Sequence, residues 1–210
     1  MILKKFFMVF IPVFFLGSCF GASMDISINS DGSGKIILEY RVSELIESLG
    51  RLDGNEKWQS IPVGKADFER MASRIQGLSI KSVSSSQKSN DLFTRAELTF
   101  ENTDSLLTFL NGSGNCASFS TDKGQNYLRL TLADILEEPT GDDLISLLKE
   151  ITSSYEISVS INVPKEANLE LNPVNVPFTQ MTTKGRKVSF SIGTGDLLSL
   201  KTGLVMDIKW

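Results

Sequence analysis

Strict alternation of apolar and polar residues is the feature that most constrains the fold of this 210-residue chain. The segment YEISVSINV (155–163) alternates without error, and two further alternating segments flank Asp31-Gly-Ser-Gly34, which is a strong tight-turn signal. Alternation places all the apolar side chains of a strand on one face. The pattern therefore predicts hairpins with one buried and one solvated face, which is typical of antiparallel sheets.

A strand followed by a Ser or Thr helix cap and a short Leu-rich helix recurs four times. The four segments are KIILEYRV-SELIESL, RAELTFEN-TDSLLTFL, YLRLTLADILEEP-TGDDLISLL and KVSFSIG-TGDLLSL. Their irregular spacing excludes a solenoid. Two explanations remain open: an internal duplication, or the frequent occurrence of the order strand, cap and helix in proteins generally. We predict an α+β fold: one curved antiparallel sheet of hairpin-linked strands, with short helices packed on one face. A single domain is expected over residues 23–210.

The first residues have the form of a secretory signal peptide. Lys4 and Lys5 precede an apolar run of 11 residues from Phe6 to Leu16, and small residues follow. A spanning helix needs about 20 apolar residues, so a permanent membrane helix is not expected here. The sequence predicts a signal peptide over residues 1–18.

Leu16-Gly17-Ser18-Cys19 resembles the lipobox of bacterial lipoproteins. The resemblance implies that the signal peptidase recognises Leu16, Gly17 and Ser18, and that Cys19 carries a diacylglycerol thioether and becomes the acylated amino terminus. The alternative is an ordinary cleaved signal with a chance cysteine.

Residues 19–22 are predicted to be a short lipidated tether, whose three residues after the cysteine reach about 10 Å at most. The membrane is then the first expected partner, held through acyl chains, and two or three chains hold firmly. An aspartate directly after the lipidated cysteine would resemble an inner-membrane retention signal. This position is Phe20 instead, which favours an outer membrane where two membranes exist. The expected location is the bacterial cell envelope.

Charge and composition exclude several function classes. Without Lys4 and Lys5 the mature chain has 19 basic and 25 acidic residues, a net charge of −6 that opposes nucleic-acid binding. The sequence contains no histidine, which removes Ser-His-Asp and Cys-His nucleophiles and nearly all catalytic zinc sites. We expect no enzyme, no cofactor and no metal; a hydrolase that uses two carboxylates is the less favoured alternative.

Two features lie outside the regular pattern. The loop 51–64 contains Trp58, Ile61 and Val63, which would close over the core, line a ligand mouth or contact the bilayer. Closure over the core is the preferred interpretation, and the three residues are the candidate ligand or membrane loop. Cys116 stands in a strand-like setting and is expected to be buried.

The hairpin MDISINSDGSGKIILEYRVS and the late segment ISVSINVPKEANLELNPVN…GRKVSFSIGTGDLLSL are similar to the LppM-like bacterial lipoproteins. The resemblance implies an envelope lipoprotein with an α+β domain related in shape to lipid-binding folds. Several members carry a C-terminal membrane helix that this sequence does not show, so their topology does not transfer. No site residue transfers either.

These observations favour a lipid-anchored envelope lipoprotein with a non-catalytic binding domain for a lipid or another apolar ligand. The alternative is a structural or assembly component that uses a sheet edge or the apolar loop to contact another envelope protein. Nucleic acid is not an expected partner.

Overall fold

A computed structural model of the protein describes residues 20–43, 62, 64–88, 91–112, 114–133, 146, 149–150, 152–174, 176–177, 179–200 and 202–210. The strands within these ranges are β1 (Phe20–Ile28), β2 (Gly34–Ser43), β3 (Leu78–Lys88), β4 (Asp91–Phe100), β5 (Ala117–Asp122), β6 (Gln125–Ala133), β7 (Glu156–Asn162), β8 (Asn168–Asn172), β9 (Thr179–Lys184), β10 (Lys187–Gly193) and β11 (Leu204–Lys209). The described helices are α1 (Lys65–Ala72), α2 (Thr103–Asn111) and α3 (Thr194–Leu198).

These strands form two sheets. The larger has seven strands in the order β3-β4-β2-β1-β7-β10-β9, and the smaller has four in the order β5-β6-β11-β8. Strands β1 and β7 pair in parallel, and the other pairs are antiparallel. The parallel pair joins the hairpins β1–β2 and β3–β4 to the late strands β7, β10 and β9 in one sheet.

The alternation seen in the sequence defines the two faces of the larger sheet. On β7 the side chains of Ile157, Val159 and Ile161 are buried, while the polar residues between them are half-buried or exposed. Buried apolar side chains from both sheets belong to one core cluster, which includes Met206 and Ile208 of β11. The core therefore lies on one face of the larger sheet, and the polar residues lie on the opposite, outward face.

The described helices add to this core. Phe68 of α1 and Leu106 of α2 are completely buried, and α1 contacts β3. Helix α2 begins after Asn102, whose side chain accepts a hydrogen bond from the backbone N–H of Ser105 at 2.9 Å. This is the usual N-cap arrangement.

The α+β class is confirmed, and the structure adds detail that the alternation did not indicate. A second sheet completes the core, and the order of strands in the larger sheet includes one parallel pair. The sequence predicts two strands at 77–84 and 92–100, separated by the polar run SSSQKSND at 84–91. In the structure β3 instead continues to Lys88, and β4 begins at Asp91. Strand β3 lies at the edge of the sheet and is held by its backbone hydrogen bonds to β4, so it needs few apolar side chains at residues 84–88.

Smaller differences concern the ends of elements. The helix caps fall one residue earlier than expected, at Asn102 rather than Thr103 and at Gly193 rather than Thr194. Residues 20–22, expected to be part of a tether, are the first residues of β1. The expected helix at 44–49, and most of the expected helix at 140–151, lie outside the described residues.

Candidate functional site

An open groove with a volume of about 490 Å³ lies across five neighbouring strands of the larger sheet. Its fourteen lining residues are Gly21, Ala22, Ser23, Glu39, Tyr40, Arg41, Ser84, Ser85, Ser86, Phe93, Thr94, Arg95, Glu156 and Ser158. The middle members form one line of paired residues across the sheet, namely Ser85, Thr94, Tyr40 and Ala22. On β7 this line continues to the buried Ile157, which is not part of the lining. The groove thus crosses the strands instead of following one of them.

Residues on either side of this line point away from the core, because side chains alternate along a strand. One row contains Ser84, Arg95, Glu39, Ser23 and Ser158, each paired with the next. The other row contains Ser86, Phe93, Arg41 and Gly21, again paired in sequence. Gly21, Ser23 and Ser158 on β1 and β7 are small, whereas the outward residues of β2 and β4 are long, so the depression follows from residue size.

A cluster around Arg41 occupies the end of the groove nearest the start of β1. The guanidinium forms an ion pair with Asp91, whose other oxygen accepts a hydrogen bond from the Tyr155 hydroxyl at 3.2 Å. The Arg41 guanidinium carbon lies 4.5 Å from the centre of the Tyr155 ring and 5.7 Å from that of Phe93. The cluster connects β2, β4 and the residue before β7, so it fixes three chain segments around a charge that is already neutralised.

A second ion pair, between Arg95 and Glu39, stands in the other row. Its two side chains are 49% and 47% exposed, against 38% and 12% for Arg41 and Asp91. Both guanidinium groups of the groove are therefore paired with carboxylates. Glu156 adds a negative charge to the lining, and the Lys88 ammonium, 5.9 Å from the centre of the Phe93 ring, adds a positive one. The groove therefore offers no excess positive charge for a phosphate.

The remaining polar groups of the groove are hydroxyls. Ser23 and Ser158 are half-buried, and Ser84 and Ser86 are exposed, all four on the outward face. Tyr40 belongs to the core-facing line, where burial raises the pKa of its hydroxyl far above the usual range. Tyr40 therefore stays neutral at physiological pH.

The signal-peptide, anchor and loop residues that the sequence singled out are not among those that the structure describes. Leu16, Gly17, Ser18 and Cys19 lie outside the described residues, as do Trp58, Ile61 and Val63, so their roles stay predictions. Cys116 lies directly before β5 and is half-buried instead of fully buried. Its carbonyl accepts a hydrogen bond from the N–H of Thr131 at 2.7 Å, which keeps it at the edge of the smaller sheet.

The groove was missed by sequence reasoning. The alternation places Arg41 and Ser158 on outward faces. The sequence favours a solvated sheet surface over a glycan-binding platform for the serine-rich faces of Ser158, Ser160, Ser189 and Ser191. No local signal shows that β1, β2, β4 and β7 are neighbours, because this order depends on long-range pairing. The signal that could have been used is the small outward residues, Gly21 and Ser23, at the start of β1.

The described ranges contain neither a metal-binding cluster nor a helix that could span a membrane. No group of three or more acidic or cysteine side chains there is placed to hold a metal ion. Within the same ranges, none of the helices has the length and apolar character needed to cross a bilayer.

The fold and the groove define an α+β domain whose main sheet has a polar, charge-paired depression on its outward face. No protein-family model matches the chain, and no curated protein matches it. Among solved structures it is similar to the folded domain of LppM from Mycobacterium tuberculosis, determined by NMR. The TM-score is 0.49 at 12% identity, and the match covers 92% of this chain and 90% of that one.

A second similar structure is the N-terminal periplasmic domain of ScsB from Proteus mirabilis. Its TM-score is 0.13 at 12% identity, and the match covers 79% of this chain and 76% of that one. Identity and TM-score are too low in both cases to assign the chain to a family.

Proposed function

We propose that this protein is a lipid-anchored component of the bacterial cell envelope, whose folded domain is a non-catalytic binding module held directly against the membrane. The observation that supports it is the start of β1 at Phe20, the residue after the lipobox-like cysteine. Gly21, the second residue after Cys19, already lines the groove. Two residues reach about 7 Å at most, so an acyl anchor at Cys19 would hold the groove close to the membrane surface.

The groove supports binding better than catalysis. Its arginines are engaged in ion pairs, and the sequence contains no histidine. General acid–base catalysis needs a group poised to exchange a proton at the operating pH. The carboxylates Asp91 and Glu39 each accept a hydrogen bond from an arginine, so both are already engaged in ion pairs. A lipid remains the ligand class that attachment beside a bilayer favours, and a groove of this polarity would receive its headgroup.

The anchor is tested by changing its sulfur. Cells that express the full chain are labelled with a palmitate analogue, and the protein is followed in membrane and soluble fractions. We expect the parent to carry label and to sediment with membranes, and Cys19→Ser to lose both properties. Cys116→Ser is the matched control and should behave as the parent. Label on Cys19→Ser, or an unmodified amino terminus in the parent by mass spectrometry, would overturn the proposal.

Binding is tested on the purified protein. Ligand that binds the native state raises the melting temperature by mass action. We expect envelope lipid extracts to contain a component that does so, and to find it bound after gentle purification. A protein that carries no bound component and whose melting temperature no envelope fraction changes would refute the binding role.

The alternative of an assembly component is favoured by one feature, the outer edge of the larger sheet. Among the residues that the structure describes, strand β9 pairs with β10 on one side only, and five of its six residues are exposed, including Met181. Unlike β3, β9 has no break in register to protect it. Crosslinking in intact cells from position 182 should capture a partner if this alternative holds, and position 82 on β3 provides the control.

A further inference from the structure

We propose that the groove binds an uncharged saccharide. This inference rests on the proposed function, because it names the class of ligand that the binding module takes. Three properties of the groove carry the argument: its charge balance, the types of hydrogen-bonding group on its walls, and its shape.

The charge balance selects an uncharged ligand. Arg41 and Arg95 are each paired with a carboxylate, and Glu156 and the Lys88 ammonium beside Phe93 add one charge of each sign. A phosphate or carboxylate ligand would have to compete with the carboxylates already present. A cationic ligand would have to displace a guanidinium from its partner. A neutral ligand would bind without competing with these carboxylates and without displacing a guanidinium.

The hydrogen-bonding groups suit a ligand that carries many hydroxyls. Each serine hydroxyl donates one hydrogen bond and accepts two, a guanidinium has five N–H donors, and a carboxylate has about four acceptor sites. An Arg–Glu pair such as Arg95 with Glu39, with both side chains about half exposed, retains donors and acceptors beyond the bonds they share. A sugar presents adjacent hydroxyls that both donate and accept, so it can satisfy these groups, whereas an acyl chain would leave them without partners.

Shape and one aromatic side chain complete the match. The groove is open and crosses five strands, which corresponds to about 19 Å at the usual spacing between strands. Phe93 is half-buried at its wall, and the charged groups of Arg41 and Lys88 lie 5.7 and 5.9 Å from the centre of its ring. An apolar ring therefore lies among the polar groups. Ligand sites commonly combine apolar surface with a few placed polar groups. The apolar C–H face of a sugar ring and its hydroxyl rim fit these two kinds of surface.

The test follows backbone amides of the full mature protein by NMR, in a detergent without a sugar headgroup. The probes are chitotetraose, mannotetraose and maltotetraose, with inorganic phosphate as the anionic comparison. We expect at least one oligosaccharide to shift amides of β1, β2, β4 and β7 around the groove, and phosphate to shift none of them. A second arm uses phosphatidylcholine vesicles with and without a diglucosyl lipid. Shifts confined to the glucosylated vesicles identify a lipid headgroup as the source, and shifts with soluble chains identify a free glycan.

Matched substitutions on β1 show whether the groove itself is responsible. Ser23 and Ser27 are both half-buried on the outward face, and only Ser23 lines the groove. Ser23→Tyr fills the floor and should weaken binding by about tenfold or more, the effect of ~1.4 kcal/mol. Ser27→Tyr should leave the affinity within about twofold.

Three results would overturn the inference: no oligosaccharide and no glucosylated vesicle shifts the groove amides of the folded protein, phosphate shifts them instead, or both tyrosine variants lose binding equally. The palmitate label at Cys19 reports the anchor independently. A labelled protein that ignores every sugar therefore refutes the saccharide and leaves the proposed function standing.

Discussion

Removal of the Asp91 carboxylate should destabilise the fold more than removal of any other charge in the groove. Asp91 is 9% exposed and receives hydrogen bonds from Arg41 and from the Tyr155 hydroxyl. Asp91→Ala would leave the Arg41 guanidinium beside two aromatic rings without its counter-charge. The Tyr155 hydroxyl would lose this acceptor as well.

The expected loss in the free energy of unfolding lies between two limits. Breaking a fully buried ion pair costs about 3–5 kcal/mol because a charge is left without compensation. Exposed pairs contribute only about 0.2–1 kcal/mol. Asp91 is nearly buried, but the Arg41 side chain is 38% exposed and water can solvate part of it. We therefore expect Asp91→Ala to cost about 2 kcal/mol, intermediate between these values.

Urea denaturation of the parent and variant proteins measures this loss. Glu39→Ala is the matched control, because Glu39 also faces outward and pairs with an arginine but is 47% exposed; it should cost less than about 1 kcal/mol. Replacing Arg41 together with Asp91, as Arg41→Met/Asp91→Ala, should cost at least ~1 kcal/mol less than the sum of the single changes. Equal losses for Asp91→Ala and Glu39→Ala, or single changes that simply add, would refute the reasoning.

Three further predictions concern the framework. Gly34→Ala should destabilise by about 3 kcal/mol, because the new methyl carbon would lie 2.0 Å from a backbone oxygen of β1, whereas Gly64→Ala, with its nearest atom at 3.9 Å, should be tolerated; thermal denaturation compares the two. A hydrogen bond from Arg129 lowers the pKa of the Asp207 carboxyl. The ionised carboxylate therefore stabilises the fold fully above the ordinary carboxyl pKa of 3.8, and this stabilisation is lost as the pH falls through the lowered pKa. Asp207→Asn should thus cost at most about 1 kcal/mol at neutral pH and nothing in strong acid, as urea midpoints across pH would show. Ile161→Ala removes a completely buried side chain and should cost about 2–5 kcal/mol in urea; a loss below ~1 kcal/mol would contradict its place in the core.

Prediction from sequence worked well where the signal is local. The hairpin around Asp31 and the strand at 155–163 both lie where the pattern placed them. It failed at residues 84–88, since a strand edge held by backbone bonds shows no apolar alternation. The candidate site could not be predicted, because Ser23 and Ser158 are 135 positions apart in the chain and become neighbours only through the parallel pairing of β1 with β7.

The amino-acid sequence by itself determined which face of each alternating strand is apolar and where the tight turn at Asp31 falls, and it predicted the acylated cysteine. These properties depend on residues a few positions apart, whose side-chain directions the backbone repeat decides. Only the tertiary structure decided that five strands place Arg41, Phe93, Arg95 and the small residues of β1 around one groove. That arrangement depends on the register and order of long-range strand pairs, which the burial of both sheets in one core selects.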